Sequence, residues 1–320
     1  MKGFKKGKFI TIAFFMIFLV PVISIEAADV FPSKPITIVS AYAPGSSLDS
    51  TARAIAPILS KYLHTNVIIS NIPGASGNIG TGKVYAAKPD GYTLLIWKTV
   101  LLSEYFQEVN FKTLKFTPIA GISRDFPLLV GHPGGSKNFL DFVKQSKVQG
   151  VNIGNNGQYT TSGFQGRLMA QELGMKVNWV NYGGVIEALT SLAGKHIDGA
   201  TSSIASAPAM LKAGVISPLL VFAKERSPKL PDVPVPSELG FNIPFVSSYI
   251  GIVGPPGMDK GRVKILENAI LMASKHADYL AWAEKTGASE PAPLSADSYL
   301  EEIARFPKVA EKYKNFFSKS

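Results

Sequence analysis

The sequence predicts an α/β protein of two domains with largely parallel sheets. Short apolar runs alternate with helical patterns, and glycine-rich loops follow the runs. The whole pattern restarts at Phe126. Three hundred and twenty residues are enough for two cores of ordinary size.

The first residues stand outside this pattern. Met1 to Lys8 carries Lys2, Lys5, Lys6 and Lys8, Phe9 to Val20 is apolar except for Thr11, and small residues follow to Ala27-Ala28. A basic start, a short apolar run and small residues read as a secretory signal peptide over residues 1–28. An uncleaved anchor is the alternative, since Ile25 or Glu26 sits three residues before the cut. The chain has no Cys, which excludes a lipid-anchored thiol, disulfides and Cys-ligated metals. Its formal charge is +10. Without the first 27 residues, 29 basic residues face 22 acidic ones, an excess that suits a small anion or an anionic surface. The basic residues are scattered, without the aromatic-interleaved basic run of a nucleic-acid binder.

After the extended lead-in Phe31 to Pro35, the stretch Ile36 to Leu59 organises the fold. Ile36, Ile38 and Val39 form a buried strand, Ala43-Pro44-Gly45-Ser46-Ser47-Leu48-Asp49 a tight loop, and Ala52, Ile55, Ala56 and Leu59 recur at helical spacing. Ser46 and Asp49 have the S-x-x-D form of a capping box. A helix N-terminus of this kind carries roughly half a positive charge and suits a carboxylate or phosphate; simple capping is the competing reading. Pro57 inside the helix predicts a bend near Ala56. Val67 to Ile69 is the second strand, Asn71 to Gly80 a second glycine-rich loop opening onto a helix, and Thr93 to Trp97 the third strand. From Phe126, Pro127 to Val130, Val151 to Ile153, Val177 to Val180, Gly199 to Ser202 and Leu219 to Phe222 read as strands. The polar loop Gly154 to Ser162 leads into a helix that buries Phe164, Leu168, Met169 and Leu173. Tyr249 to Val253 is apolar and ends at Gly254-Pro255-Pro256-Gly257, the expected crossing back to the first domain. Helices at Lys260 to Ser274, Asp278 to Lys285 and Asp297 onward finish the chain, with Pro307 bending or splitting the last. Ligands of such sheets bind at the carboxyl ends of the strands, where these loops lie.

Catalytic motifs are poorly supported. Gly77 to Lys83 has P-loop spacing, but Val84 stands where a Mg²⁺-holding hydroxyl is needed. His64, His132, His196 and His276 form no metal pattern, and Ser76 is in no G-x-S-x-G elbow. No metal or other cofactor is expected. Asp49 and Asp198 could be imagined as paired catalytic carboxylates; more simply, Asp49 supports its loop or pairs with Arg53, and Asp198 begins a strand. A binding protein needs less: two domains, each with a polar loop at a helix N-terminus, can surround one small anion with N–H and hydroxyl donors.

Several stretches, in order, resemble one family. They are Phe31-Pro32-Ser33-Lys34-Pro35-Ile36, Pro44 to Asp49 (the family's P-G-G-x-x-D loop), Pro73 to Gly80, Lys88 to Leu95, Gly194 to Asp198 and Arg226 to Pro234. Over about Phe31 to Tyr313 the chain resembles the Bug-type periplasmic solute-binding proteins of tripartite tricarboxylate transporters. The resemblance implies a two-domain type II periplasmic-binding-protein (Venus-flytrap) fold, with mostly parallel sheets and helices on both faces. Residues 29–129 and 247–320 would form domain 1 and residues 130–246 domain 2. It implies a periplasmic or otherwise extracytoplasmic receptor, likewise a monomer, that captures a small di- or tricarboxylate and hands it to a membrane permease of large and small subunits. An orphan sensor with a signalling partner and a secreted hydrolase on the same scaffold are the alternatives.

The expected ligand-binding residues are Ala43, Pro44, Gly45, Ser46, Ser47 and Asp49 in the first loop, and Gly77 and Asn78 in the second glycine-rich loop. Thr99 follows the third strand; Asn156, Gly157, Tyr159, Thr160, Thr161 and Ser162 lie in the second-domain loop, and Tyr182 and Asp198 beyond it. The chain departs from the family at Ser46, where a second glycine is usual, and at Gly163, where the family commonly has His. Lys98 stands where small polar residues are usual; it is expected to be solvated, and in the cleft it would favour a second carboxylate. Tyr159 and Trp97 are expected to pack, the alternative being a pocket floor for an aromatic acid.

Overall fold

A computed structural model describes residues 1, 3, 30–98, 103–243, 248–287 and 289–317; the expected signal peptide thus lies almost wholly outside the described residues. The chain divides into Met1–Phe31 and a unit from Pro32 to Ser320, and the second holds both sheets.

The first lobe begins with β1 (Ile36–Ser40), α1 (Ser47–Leu63), β2 (Val67–Asn71), α2 (Asn78–Tyr85), β3 (Thr93–Lys98), α3 (Ser103–Phe106) and β4 (Thr117–Asp125). The second lobe runs β5 (Pro127–Gly131), α4 (Phe139–Gln149), β6 (Val151–Asn155), α5 (Thr161–Glu172), β7 (Val177–Asn181), α6 (Val185–Ala193), β8 (Gly199–Ser203), α7 (Pro208–Lys212) and β9 (Ser217–Val221). The chain then returns through β10 (Ser248–Gly254), α8 (Lys260–Ser274), α9 (Ala277–Thr286), β11 (Glu290–Leu294) and α10 (Ala296–Phe317).

The sheets have the orders β11-β4-β10-β3-β1-β2 and β7-β6-β8-β5-β9. The two-domain α/β expectation holds, but the sheets are mixed. Parallel pairing is confined to β1 with β2 and β3, and to β6 with β7 and β8. The strands beside them run antiparallel: β10 against β3 and β4, β11 against β4, and β5 against β8 and β9. The reason is topological. β-α-β units make parallel neighbours, whereas β5 and β10 each enter their sheet from the other lobe.

Only Phe126 separates β4 from β5, so the first crossing falls at Phe126 rather than at 129/130. Asp125 pairs with Ser248, the first residue of β10, which makes the outgoing and returning strands hydrogen-bonded neighbours at the hinge. β10 already lies in the first-lobe sheet, so the crossing expected at Gly254-Pro255-Pro256-Gly257 is overturned, while the expected boundary at 246/247 lies outside the described residues. β4 and β11 are absent from the sequence reading because Pro118, Gly121, Pro291 and Pro293 break the strand pattern. β11 tolerates two prolines because it is an edge strand. Both α1 and α10 run as single helices through Pro57 and Pro307, since a proline removes one ladder hydrogen bond and the flanking turns hold.

The first core joins Val39, Leu95, Trp97, Phe111, Phe116, Val253, Tyr299 and Ile303. A tight point is Gly251 in β10, where a Cβ would lie 2.4 Å from Ala120 O and 2.5 Å from Tyr299 Cζ. The Tyr299 ring packs on this glycine, and its hydroxyl donates to Trp97 O at 3.1 Å. In the second lobe one apolar cluster joins Leu128, Val130, Leu189, Leu192 and Val221, and another joins Leu129, Phe139, Phe142, Ile153, Met169 and Phe222. Gly251→Ala is therefore expected to lower stability by about 2 kcal/mol through overpacking. Urea unfolding would read this as a lower midpoint at unchanged slope.

Candidate functional site

The carboxyl ends of β1 and β3 in one lobe, and of β6 and β8 in the other, carry the residues that line one cleft. It is lined by Tyr42, Ser46, Ser47, Leu48 and Lys98 from the first lobe, and by Asn156, Thr160, Thr161, Ser162, Val185, Ser203 and Ser206 from the second.

The first-lobe loop is fixed from behind by Asp49, which is 3% exposed. Its carboxylate accepts from Gly45 N–H, Arg53 Nε and Asn71 Nδ2, each at 2.9 Å. Asn71 Nδ2 also donates to Tyr42 O at 3.0 Å, and Arg53 Nη2 to Asn71 Oδ1 at 2.8 Å. Burial by itself would raise the Asp49 pKa, but the hydrogen bonds from Arg53, Gly45 and Asn71, with the charge of Arg53, outweigh it and hold the carboxyl below its usual value. Ser46 is the N-cap of α1, its Oγ accepting from Asp49 N–H at 3.3 Å. The capping box is thus altered, because the Asp49 side chain reaches back to Gly45 instead of Ser46. The Tyr42 hydroxyl donates to Ser76 O at 3.1 Å, and burial pushes its pKa up to about 12.

In the second lobe Thr160 caps α5, accepting from Gly163 N–H at 3.1 Å. Its hydroxyl proton is shared between Gly157 O at 2.8 Å and Asn156 Oδ1 at 3.1 Å. Asn155, fully buried, accepts from Gly157 N–H at 2.8 Å. A Cβ at Gly163 would lie 2.1 Å from Gly157 O, which explains why this loop takes glycine where the resemblance leads one to expect His. Two turns along α5, Arg167 is buried with its guanidinium 4.4 Å from the centre of the Trp179 ring. Burial lowers its pKa to about 10, leaving it cationic at neutral pH.

Several contacts join the lobes. Ser47 N–H donates to Ser206 Oγ at 3.1 Å, and the Ser203 hydroxyl donates to the same oxygen at 3.2 Å. Phe106 stacks on Tyr159 with centroids 5.9 Å apart, beside Phe164 and Tyr313. Lys229 Nζ donates to Ala283 O at 3.2 Å and to Ser289 O. Lys98 pairs with Asp125, which also accepts from Ala205 N–H at 3.3 Å.

With the caps and Ser206 counted, the N–H groups of Leu48, Thr161 and Ser162 have no hydrogen-bond partner among the described residues. All three residues line the cleft. A third helix, α6, also starts there, but Glu187 accepts from Gly183 N–H at 3.0 Å and already sets a carboxylate at that end. The cleft therefore offers neutral donors at the mouths of two helices, which suits a carboxylate.

Of the expected site residues, Ser46, Ser47, Asn156, Thr160, Thr161 and Ser162 come together on the cleft wall, and Ala43 and Pro44 line its outer part with Val185 and Ile186. Gly45 and Asp49 act behind the wall, through the loop backbone. Gly77 lies under the Tyr42 ring, Gly157 beside Ser76, and Asn78 heads α2; none of these lines the cleft. Tyr159 is in the aromatic contact between the lobes. Tyr182 bonds to Ser191 Oγ at 2.5 Å and packs in the second-lobe core. Asp198 is a correction: it accepts from Asn152 N–H at 2.7 Å at the start of β8, about 16 Å along the strand from the cleft end. Thr99 lies outside the described residues. Trp97 is 2% exposed and packs on Phe116. Lys98 is a second correction, since it lines the cleft and is paired instead of solvated. The sequence reading missed Tyr42, Leu48, Val185, Ser203 and Ser206; the position of Ser203 at the carboxyl end of β8 was the available signal.

Fold and cleft together define a two-lobed, Venus-flytrap solute-binding protein. Residues 51–306 match the family described as "Tripartite tricarboxylate transporter family receptor", and this chain belongs to that family. It is 31% identical over 236 residues to a UPF0065 protein in the TAR-I ttuE-ttuC' intergenic region of Agrobacterium vitis, covering 72% of this chain and 68% of that one. Among solved structures, the periplasmic binding protein BugD matches with a TM-score of 0.82 at 24% identity, over 89% of this chain and 98% of its own. MatC from Rhodopseudomonas palustris, solved with bound malate, matches with a TM-score of 0.79 at 26% identity, over 88% of this chain and all of its own (100%). No helix among the described residues is long and apolar enough to cross a membrane.

Replacing Asp49 by Asn is expected to lower stability by about 2 kcal/mol at neutral pH, because charge-assisted bonds to Gly45, Arg53 and Asn71 are weakened. The folded-state pKa is lowered, so the wild-type advantage is complete above the ordinary value of 3.8 and disappears as pH falls through the lower folded value. Urea titrations at a series of pH values should show a constant gap from neutral pH to about pH 5, narrowing only at stronger acidity.

Proposed function

We propose that this chain is an extracytoplasmic receptor that captures a small organic acid of the di- or tricarboxylate class in the interlobe cleft. It delivers the acid to a tripartite tricarboxylate transporter permease of large and small membrane subunits. The observation that carries the reading is the convergence of two helix mouths, with three N–H donors that have no partner among the described residues, on one cleft in a chain of this receptor family. The malate-bound state of MatC supports the ligand class. The basic, apolar and small-residue sequence of residues 1–28 supports export. Both lobes come from one chain, so the site is complete in a monomer.

A hydrolytic reading finds little support. None of the four histidines lines the cleft: His276 caps α9, His64 ends α1, His132 faces Pro133 O, and His196 follows the α6 stop.

Thermal unfolding across a panel of mono-, di- and tricarboxylates tests the proposal. At a hundredfold excess over its dissociation constant, the cognate acid should add about 2.7 kcal/mol to stability. Flat melting curves across the whole panel would count against it.

A further inference from the structure

The inner cleft is lined by hydroxyls, one amide and apolar groups, with a single exception. Lys98, at the carboxyl end of β3, is the one charged side chain among the described residues of that wall. Its side chain is 17% exposed, and its ammonium pairs with Asp125, whose side chain is 1% exposed. Asp125 stands behind the wall and is fixed in turn by Ala205 N–H across the hinge. An ammonium has three donors. One is used by Asp125, and no other partner for Lys98 exists among the described residues. The purely structural role of Lys98, neutralising Asp125, needs only that one bond. It leaves unexplained why Lys98 is on the wall of the ligand cleft.

The helix mouths of α1 and α5 offer neutral N–H donors suited to one carboxylate. Lys98 offers a full charge elsewhere on the same wall. We propose that Lys98 is the specificity-determining residue of the cleft, contacting a second acidic group of the ligand, with Asp125 as the positioning residue that aims it. This rests on the receptor reading above and adds the residue that separates diacids from monoacids. A charge-assisted bond from a shielded ammonium is about twice as strong as a neutral one, so exchanging the second carboxylate for an amide should weaken binding about tenfold.

The test is calorimetric titration of the full mature chain with succinate, malate and adipate, each against its own monoamide. The wild type should bind at least one diacid about tenfold more tightly than the matching monoamide. Lys98→Met combined with Asp125→Asn removes both charges, so no buried charge is left alone. This variant should bind diacid and monoamide alike, near the wild-type affinity for the monoamide. Equal wild-type affinities for diacid and monoamide would overturn the assignment by themselves, as would a folded double variant that still discriminates. Should the wild type bind no mono-, di- or tricarboxylate, the receptor reading itself fails. Should it bind acids without regard to the second carboxylate, only the role of Lys98 fails.

Discussion

The first N–H groups of an α-helix have no partner within the helix, and this constraint governs the cleft. At α1 and α5 the caps Ser46 and Thr160 satisfy one N–H each, and Ser206 reaches across from the other lobe to accept from Ser47. The N–H groups of Leu48, Thr161 and Ser162 have no partner among the described residues. The contrast with α6, where Glu187 brings its own carboxylate, shows what an occupied mouth looks like in this protein. Recognition by neutral donors also fits a receptor that must release its cargo, because no buried ion pair has to be broken at these two mouths.

The hinge brings those mouths together. Each sheet takes an antiparallel strand from the chain arriving from the other lobe, β5 in one direction and β10 in the other. Asp125 lies where these strands meet and touches Lys98 in one lobe and Ala205 in the other. Ala205 and Ser206 belong to the same short turn, so the turn that binds the hinge carboxylate also closes on the mouth of α1. The hinge carboxylate and the mouth of α1 are thereby joined through adjacent residues.

Much of this was legible in the sequence because the signals are local. Ser46 with Asp49, and the polar run ending at Ser162, announce helix starts after strands, and both proved to line or support the cleft. What could not be read depends on distant partners. Lys98 reads as a surface lysine until Asp125, 27 positions later, is placed beside it. Asp198 reads as a site carboxylate until strand direction puts it at the far end of β8. Pro291 and Pro293 hide an edge strand, and Gly163 gains its meaning only from the nearness of Gly157 O.

The most direct test of a carboxylate held between two helix mouths is an amide NMR titration of ¹⁵N-labelled protein with malate or another acid that binds. Hydrogen bonding to a carboxylate should move the amide resonances of Leu48, Thr161 and Ser162 downfield together, with one saturation curve shared by both lobes. Shifts confined to one lobe, or centred away from these three amides, would contradict the account.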